Sequence, residues 1–202
     1  LGIKLEELDA ILLTHRHLDH GHDIVPMLEA WLDLDSPKNI GEKKLYLPTD
    51  YLDEYQLQEF SRKKIKEIII LSEKTKYKLK NLTITTSKTL IEKPHHINNL
   101  PQEFAFHIQG EKIDIGFWSQ SRYVKGITNG FKPKILIFDF ISDSEPYLSE
   151  QANIIKNINP ELVILRHFIL PMYDKQVSRL ADLMQGLTNI KTIIAPEGGN
   201  LG

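Results

Sequence analysis

Short runs of consecutive apolar residues, separated by polar segments, are the most regular feature of the chain. They predict strands at residues 10–13, 44–47, 68–71, 77–79, 82–85, 89–91, 103–108, 112–116, 135–138, 161–165 and 192–194. A continuous apolar run such as that at 10–13 is typical of a strand buried on both faces. The segments 103–108 and 112–116 flank a short polar turn, which predicts a hairpin.

Apolar residues at helical spacing fall in four other segments. They predict helices at residues 23–34, 50–60, 148–158 and 175–187. Asp23 is a candidate N-cap for the first of these helices. Strands dominate the middle of the chain, and strands alternate with helices again near its end. We therefore expect a single α/β domain over residues 1–202, with at least two β layers and helices outside them.

Length and composition narrow the class of protein. The 202 residues suffice for one domain with a sizeable core but not for two of ordinary size. The net charge of −2 excludes a strongly basic nucleic-acid binder by overall electrostatics. The absence of cysteine excludes disulfides, cysteine-based zinc fingers, iron–sulfur clusters and thiol nucleophiles. No apolar run approaches the ~18 residues of a membrane helix, so we expect a cytoplasmic protein without a membrane partner.

One ten-residue segment directly after the first predicted strand contains four of the eight histidines. It covers residues 14–23 and reads THRHLDHGHD. His15 and His17, two residues apart on extended backbone, project the same way and can bind one cation. Asp19 and His20 follow on a tight turn, where they can reach a second cation. Imidazole and carboxylate ligands suit zinc, manganese or iron, and they favour metal binding over a simple solvated turn.

The order of ligand residues in this segment, H-x-H-x-D-H, resembles the metal-binding motif of the metallo-β-lactamase fold. The preceding residues LDAILLTHRHLDH look like the strand and loop that carry this motif in hydrolases of the superfamily, especially its ribonuclease Z-like branch. The resemblance extends from Leu8 to about Gly198 and implies an αββα sandwich with metals at one edge between the sheets. It also implies strands before the motif that this sequence lacks. We therefore expect a missing N-terminal part, or a core completed by another segment or chain.

The same resemblance implies that the first metal is held by three histidines. Two of them are His15 and His17. The third would come from the segment before strand 103–108, where His95 and His96 are adjacent after a proline. We favour His95 because its local sequence has the commoner form, with His96 as the alternative. Two exposed loop histidines without a metal role are the simpler interpretation of this pair.

For the second metal the resemblance implies Asp19, His20 and His167. His167 follows the predicted strand 161–165, whose end would bring it to the same rim as His15. Asp19 would have a catalytic role as well, because it would orient or deprotonate the attacking water.

One position departs from the family pattern. The Asp that bridges both metals in a Gly-Asp-Thr-type turn is replaced here by Gln120 in the turn 119–123. A neutral amide is a poor bridge between two cations, so the second metal should bind weakly or not at all. Asp139, at the end of the next predicted strand, is either an acidic residue behind the ligands or a turn cap, and we favour the turn cap.

These observations predict a metal-dependent hydrolase in which one or two zinc ions, or manganese or iron, activate water against an ester or phosphodiester bond. The expected partners are a small-molecule or phosphodiester substrate. Nucleic acid is compatible with the ribonuclease Z-like resemblance, and an unfinished sheet would allow a homodimer. The alternative is a degenerate, non-catalytic binding protein of the same fold, as Gln120 suggests. Oxygen reductase or sulfur dioxygenase chemistry would require iron, which nothing in the sequence selects.

Overall fold

The structure, a computed structural model, describes residues 4, 7–33, 43–54, 67–89, 102–119, 121–167 and 175–195. Its strands are β1 (Ala10–Leu12), β2 (Lys44–Leu47), β3 (Glu67–Ile70), β4 (Lys76–Leu79), β5 (Leu82–Thr89), β6 (Glu103–Gln109), β7 (Asp114–Trp118), β8 (Ile135–Asp139), β9 (Leu162–Arg166) and β10 (Thr192–Ile194). Its helices are α1 (Leu18–Gly21), α2 (Ile24–Asp33), α3 (Thr49–Glu54), α4 (Tyr147–Ile158) and α5 (Lys175–Thr188). None of the described helices is long and apolar enough to span a membrane.

Most predicted elements are confirmed within one or two residues, and the differences have local causes. The segments predicted as separate strands at 82–85 and 89–91 form one strand over 82–89, because Thr85 to Lys88 remain paired with β6. Residues 90 and 91, and the predicted helical residues 55–60, lie outside the described part. The second hairpin strand begins at Asp114 and ends at Trp118, later than predicted. Asp19 and His20 lie on the short helix α1, where a tight turn was expected.

Two sheets form the centre of the molecule. The smaller sheet has the order β1-β2-β3 and is parallel throughout. The larger has the order β10-β9-β8-β7-β6-β5-β4, in which β7 to β10 are parallel and β4 to β7 pair antiparallel. The carboxyl ends of β7, β8 and β9 therefore lie at one edge, together with the start of β6.

Alternation of side chains along the strands separates three apolar clusters. In β2, Leu45 and Leu47 pack against α2 and α3, whereas Tyr46 points the other way and packs between the sheets. In β6, Phe104 contributes to the cluster between the sheets, and its neighbour Ala105 to the cluster under α4 and α5. The layers are thus helix, sheet, sheet and helix, which confirms the predicted αββα sandwich.

A backbone hydrogen bond joins the two sheets at the edge where the histidine-rich segment begins. The N–H of Phe104, in β6 of the larger sheet, donates to the carbonyl oxygen of Thr14 at 3.0 Å. Leu13 extends the pairing of β1 by donating its N–H to the carbonyl of Tyr46 at 3.0 Å. These bonds fix residues 13 and 14, and they bring the following histidine to the rim of both sheets.

Substitution of Gly116 in β7 tests the packing of the larger sheet. A Cβ at this position would lie 2.9 Å from Cε1 of Phe131 and would also collide with the ring of Pro133. We expect Gly116→Ala to lower the free energy of unfolding by about 1–3 kcal/mol through overpacking. Urea unfolding followed by circular dichroism measures this change.

Gly186→Ala is the matched control. Gly186 lies in helix α5, and no atom lies within 4 Å of the added Cβ. Alanine there should raise the free energy of unfolding by roughly 0.5–1 kcal/mol, because helical glycine loses more backbone entropy on folding. Two alanine variants of equal stability would contradict this account of the sheet.

Candidate metal centre

The structure brings four histidine side chains together from two distant parts of the chain. The ring centroids of His15 and His17 are 4.5 Å apart, and those of His15 and His20 are 4.2 Å apart. The ring of His167 stacks on that of His20, with centroids 4.9 Å apart and an interplanar angle of 21°. His15 is fully buried and lies at the centre of the group. We call these four residues the histidine cluster.

The short helix α1 turns His20 back onto His15. It begins directly after His17, whose carbonyl oxygen accepts the N–H groups of His20 and Gly21 at 3.0 and 2.9 Å. Tyr51 from α3 donates its hydroxyl to the carbonyl oxygen of Gly21 at 2.6 Å. A Cβ on Gly21 would lie 2.8 Å from the Tyr51 ring, so only glycine allows this close approach. The small sheet and its helices thereby hold the turn that carries His20.

His167 joins the cluster through an unusual backbone conformation. It follows β9 and has a φ of +64°, in the left-handed region that non-glycine residues seldom adopt. Such a conformation costs about 1–2 kcal/mol for a residue with a Cβ. Backbone strain of this kind is concentrated at functional sites, where the surrounding structure maintains it. Here it accompanies the stacking of the His167 ring on His20.

Several predicted ligands are not characterised by these coordinates. His95, His96 and Gln120 lie outside the described residues, and the side chain of Asp19 is likewise not described. Among the described residues, no group of three or more histidine, aspartate and glutamate side chains is arranged so that it could hold a metal ion. The predicted ligand sets for the two metals therefore stay predictions. Four of the predicted ligands, the members of the histidine cluster, are linked by ring contacts.

The histidine cluster nevertheless suits a metal by donor type and by spacing. Nε2 of His15 lies 3.0 Å from Nδ1 of His17. Two nitrogens bound at ~2.0–2.1 Å to one tetrahedral zinc ion are roughly 3.3 Å apart, close to the observed separation. Neutral imidazole binds zinc, manganese and iron, and it does so through one ring nitrogen while the other forms a hydrogen bond.

Behind the cluster, buried oxygen atoms surround the other ring nitrogen of His15. Nδ1 lies 3.0 Å from the hydroxyl of Thr14, 3.4 Å from that of Ser119 and 3.8 Å from a carboxyl oxygen of Glu103. All three residues lie at the same edge, because Thr14 follows β1, Ser119 follows β7 and Glu103 begins β6. Three side-chain oxygen atoms therefore lie within 3.8 Å of this ring nitrogen.

Asp139 continues this polar group towards β9. Its carboxylate accepts a hydrogen bond from the hydroxyl of Ser119 at 3.0 Å. Its other oxygen lies 2.6 Å from Nε of Arg166, which immediately precedes His167. The partners of Asp139 are thus side chains of neighbouring strand ends, and the turn-capping role favoured from the sequence is wrong. The carboxylate is fully buried and is neutralised by a guanidinium.

Glu103 was missed in the sequence, and its environment changes its protonation. Burial raises the pKa of its carboxyl to about 8 from an ordinary 4.5, and the nearby charge of Asp139 adds to this. The neighbouring hydroxyls of Thr89 and Ser119 act in the opposite direction on the pKa. The sequence signal that could have identified Glu103 is its place at the start of the mainly apolar strand β6, on the same face as Ala105. It could not be interpreted without the position of His15.

Comparison with solved structures supports the fold, whereas comparison of sequences adds no further support. No protein-family model matches the chain, and no curated protein matches its sequence. Among solved structures, the metallo-β-lactamase fold protein YhfI from Bacillus subtilis superposes with a TM-score of 0.71 at 20% identity, covering 96% of this chain and 78% of that one. Yeast PDE1 gives 0.66 at 14% identity, over 96% and 68% of the two chains.

A third neighbour is a diphosphatase from the PhnP family, with a TM-score of 0.59 at 13% identity, covering 85% of this chain and 64% of that one. The αββα architecture and these superpositions agree. The chain has the metallo-β-lactamase fold.

Glu103→Gln tests the protonation of the buried carboxyl through the pH dependence of stability. In the unfolded chain Glu103 ionises near its ordinary pKa of 4.5, whereas in the folded protein it ionises near pH 8. The folded protein binds the extra proton between these values, so stability present below pH 4.5 is lost as the pH rises to about 8. The Glu103→Gln variant does not lose stability in this way, because glutamine does not ionise. We expect its free energy of unfolding to rise relative to wild type by up to about 1.4 kcal/mol per pH unit across that window.

Urea unfolding of metal-free protein between pH 5 and pH 8 measures this difference. Glu150→Gln is the control, because the hydrogen bonds from Arg122 lower the pKa of Glu150 and its contribution to stability is lost only as the pH falls. Its difference from wild type should be nearly constant over the same range. Parallel pH profiles for Glu103→Gln and wild type would show that Glu103 is ionised in the folded protein.

Proposed function

We propose that this protein is a metal-dependent hydrolase that acts on a phosphodiester or another ester bond. The observation that carries the proposal is a series of ring contacts from His17 through His15 and His20 to His167, which joins sequence positions as far apart as 15 and 167. Four imidazoles in contact at the carboxyl-end rim of the sheets form a set of neutral nitrogen donors. Imidazole is a ligand for zinc, manganese and iron, so the residue types at this rim favour a cation site that further ligands outside the described residues would complete.

His15 and His17, with His95, would hold the first metal ion. Asp19, His20 and His167 would surround the second, with zinc as the expected ion and manganese or iron as alternatives. A bound metal ion would supply Lewis-acid activation of water and stabilisation of developing negative charge. The Asp19 carboxylate would orient the attacking water and accept its proton.

Phosphodiesters are the favoured substrates for two reasons. Neighbours of the same fold include a phosphodiesterase and a diphosphatase, and the sequence motif is similar to that of the ribonuclease Z-like branch. In addition, the side chain of Arg166 beside His167 is 40% exposed, and the N–H groups of its guanidinium other than the one facing Asp139 could donate to a substrate oxygen. A guanidinium at that place suits a phosphate oxygen better than a neutral ester.

A non-catalytic protein of the same fold is the second candidate, and Gln120 is the observation that favours it. The amide would neither bridge two cations nor balance their charge as a carboxylate would. Such a protein would retain the binding of one metal ion through the first ligand set and would lack hydrolytic activity.

Replacement of His15 and His17 by alanine tests the metal site. We expect purified wild type to contain at least one zinc, manganese or iron ion per chain, and His15→Ala/His17→Ala to contain at least tenfold less, because two of three ligands are lost. Elemental analysis by mass spectrometry measures the metal content. His22→Ala is the matched control, since the side chain of His22 is 67% exposed and contacts Asp23 outside the cluster. Equal metal content in all three proteins would refute the ligand assignment.

Gln120→Asp separates the two candidate functions. Hydrolysis of bis-p-nitrophenyl phosphate is measured with added Zn²⁺ or Mn²⁺ for wild type and for the variant. Metal-dependent hydrolysis by wild type is the expected result for the proposed enzyme, and the Asp variant should be more active because a carboxylate holds the second metal better. An inert wild type with an active Asp variant would identify a site that has lost activity, in favour of the binding protein.

A further inference from the structure

The His15 ring lies between two different environments. On one side its Nε2 points towards His17, at 3.0 Å from Nδ1 of that ring. On the other side its Nδ1 lies among the oxygen atoms of Thr14, Ser119 and Glu103 in the fully buried interior. With a proton on Nδ1, this nitrogen would donate to one of these oxygen atoms, and the lone pair of Nε2 would face the histidine cluster.

The three oxygen atoms are not equivalent acceptors. The hydroxyl of Ser119 already donates its hydrogen to the carboxylate of Asp139 at 3.0 Å, so only its lone pairs remain for His15. The hydroxyl of Thr14, adjacent to His15 in the chain, is nearer at 3.0 Å, and it can either donate to Nδ1 or accept from it. Glu103, at 3.8 Å, is beyond hydrogen-bond distance.

Ser119 is itself held in place. It is fully buried at the end of β7, and its acceptor Asp139 is fixed at the end of β8 by Arg166 from β9. The chain of contacts from His15 through Ser119 and Asp139 to Arg166 therefore crosses three neighbouring strand ends of the larger sheet. It ends on the residue before His167, so it links the two parts of the histidine cluster.

We propose that Ser119 is a positioning residue for His15: its hydroxyl accepts the Nδ1–H of His15 while donating to Asp139, and this directs Nε2 of His15 into the histidine cluster. The proposal rests on the proposed function in so far as Nε2 is to bind a metal ion. The choice of ring tautomer can be measured without any metal. An ordered tautomer removes the need to move a proton and rotate the ring when a cation binds.

The first experiment determines the tautomer of His15 by ¹⁵N NMR of the labelled wild-type protein, with and without zinc. The His15 signals are assigned by their disappearance in His15→Gln. We expect Nδ1 to carry the proton in both samples, and Ser119→Ala to show a mixture of the two tautomers in the metal-free sample. A proton on Nε2 in metal-free wild type would overturn the proposal.

The second experiment measures zinc affinity by competition with a chelator. Ser119→Ala should bind zinc roughly 10–100-fold more weakly than wild type, the usual effect of losing a hydrogen-bond partner of a metal-bound histidine. Ser119→Thr keeps the hydroxyl and should restore most of the affinity. Thr188→Val is the control, because it removes a buried hydroxyl that donates to Met184 at the end of α5, away from the cluster. Its zinc affinity should equal that of wild type.

The outcomes separate the positioning role from the proposed function. Equal zinc affinity of wild type and Ser119→Ala would overturn the role of Ser119 and leave the hydrolase proposal standing. A wild type that binds no zinc would contradict the proposed zinc site, while the tautomer in the same sample would still decide the role of Ser119. If Ser119→Ala fails to fold, the role of Ser119 is tested by the tautomer of His15 in wild type and by the zinc affinity of Ser119→Thr. A Ser119→Thr variant that binds no zinc and carries the His15 proton on Nε2 would refute that role.

Discussion

The hydrogen bond from the Phe104 N–H to the Thr14 carbonyl oxygen is the constraint on which the candidate centre depends. It joins the smaller sheet to the larger one at the residue before His15. Together with the apolar cluster packed between the sheets, it brings the residues after β1 beside those after β7 and β8. Because the bond is made by backbone atoms between two packed sheets, it fixes His15 beside Ser119 more firmly than side-chain contacts alone could.

Polar groups buried at this rim reduce stability and are retained within an otherwise apolar sandwich. His15, Glu103, Ser119 and Asp139 are all fully buried. The free-energy cost of removing these groups from water is offset where they form hydrogen bonds, as between Ser119 and Asp139. For Glu103 this cost is not fully offset, because burial raises the pKa of its carboxyl despite the nearby hydroxyls. Together with the left-handed backbone at His167, these groups distinguish the rim from the apolar core of the sandwich.

Much of the fold could be predicted because local pattern and local structure agree. The run at residues 44–47 is a strand over the same residues. The prediction was wrong where strand pairing overrides local signals: a break was expected at residues 86–88, yet β6 pairs with all three. For the site, residue type and spacing indicated His15, His17 and His20, and the family resemblance added His167. The structure links all four through ring contacts.

The sequence by itself determined most elements through their periodicity, and the chemistry of neighbouring side chains indicated a metal site at residues 15–20. The αββα class and the role of His167 were implied by the resemblance of that segment to a known motif. Only the tertiary structure decided what lies behind the histidines. The contacts of His15 with Ser119 and Glu103 span more than eighty residues, and no local pattern encodes them. They arise from the register of β5, β6 and β7 and from the joining of the two sheets, which are properties of the packed chain.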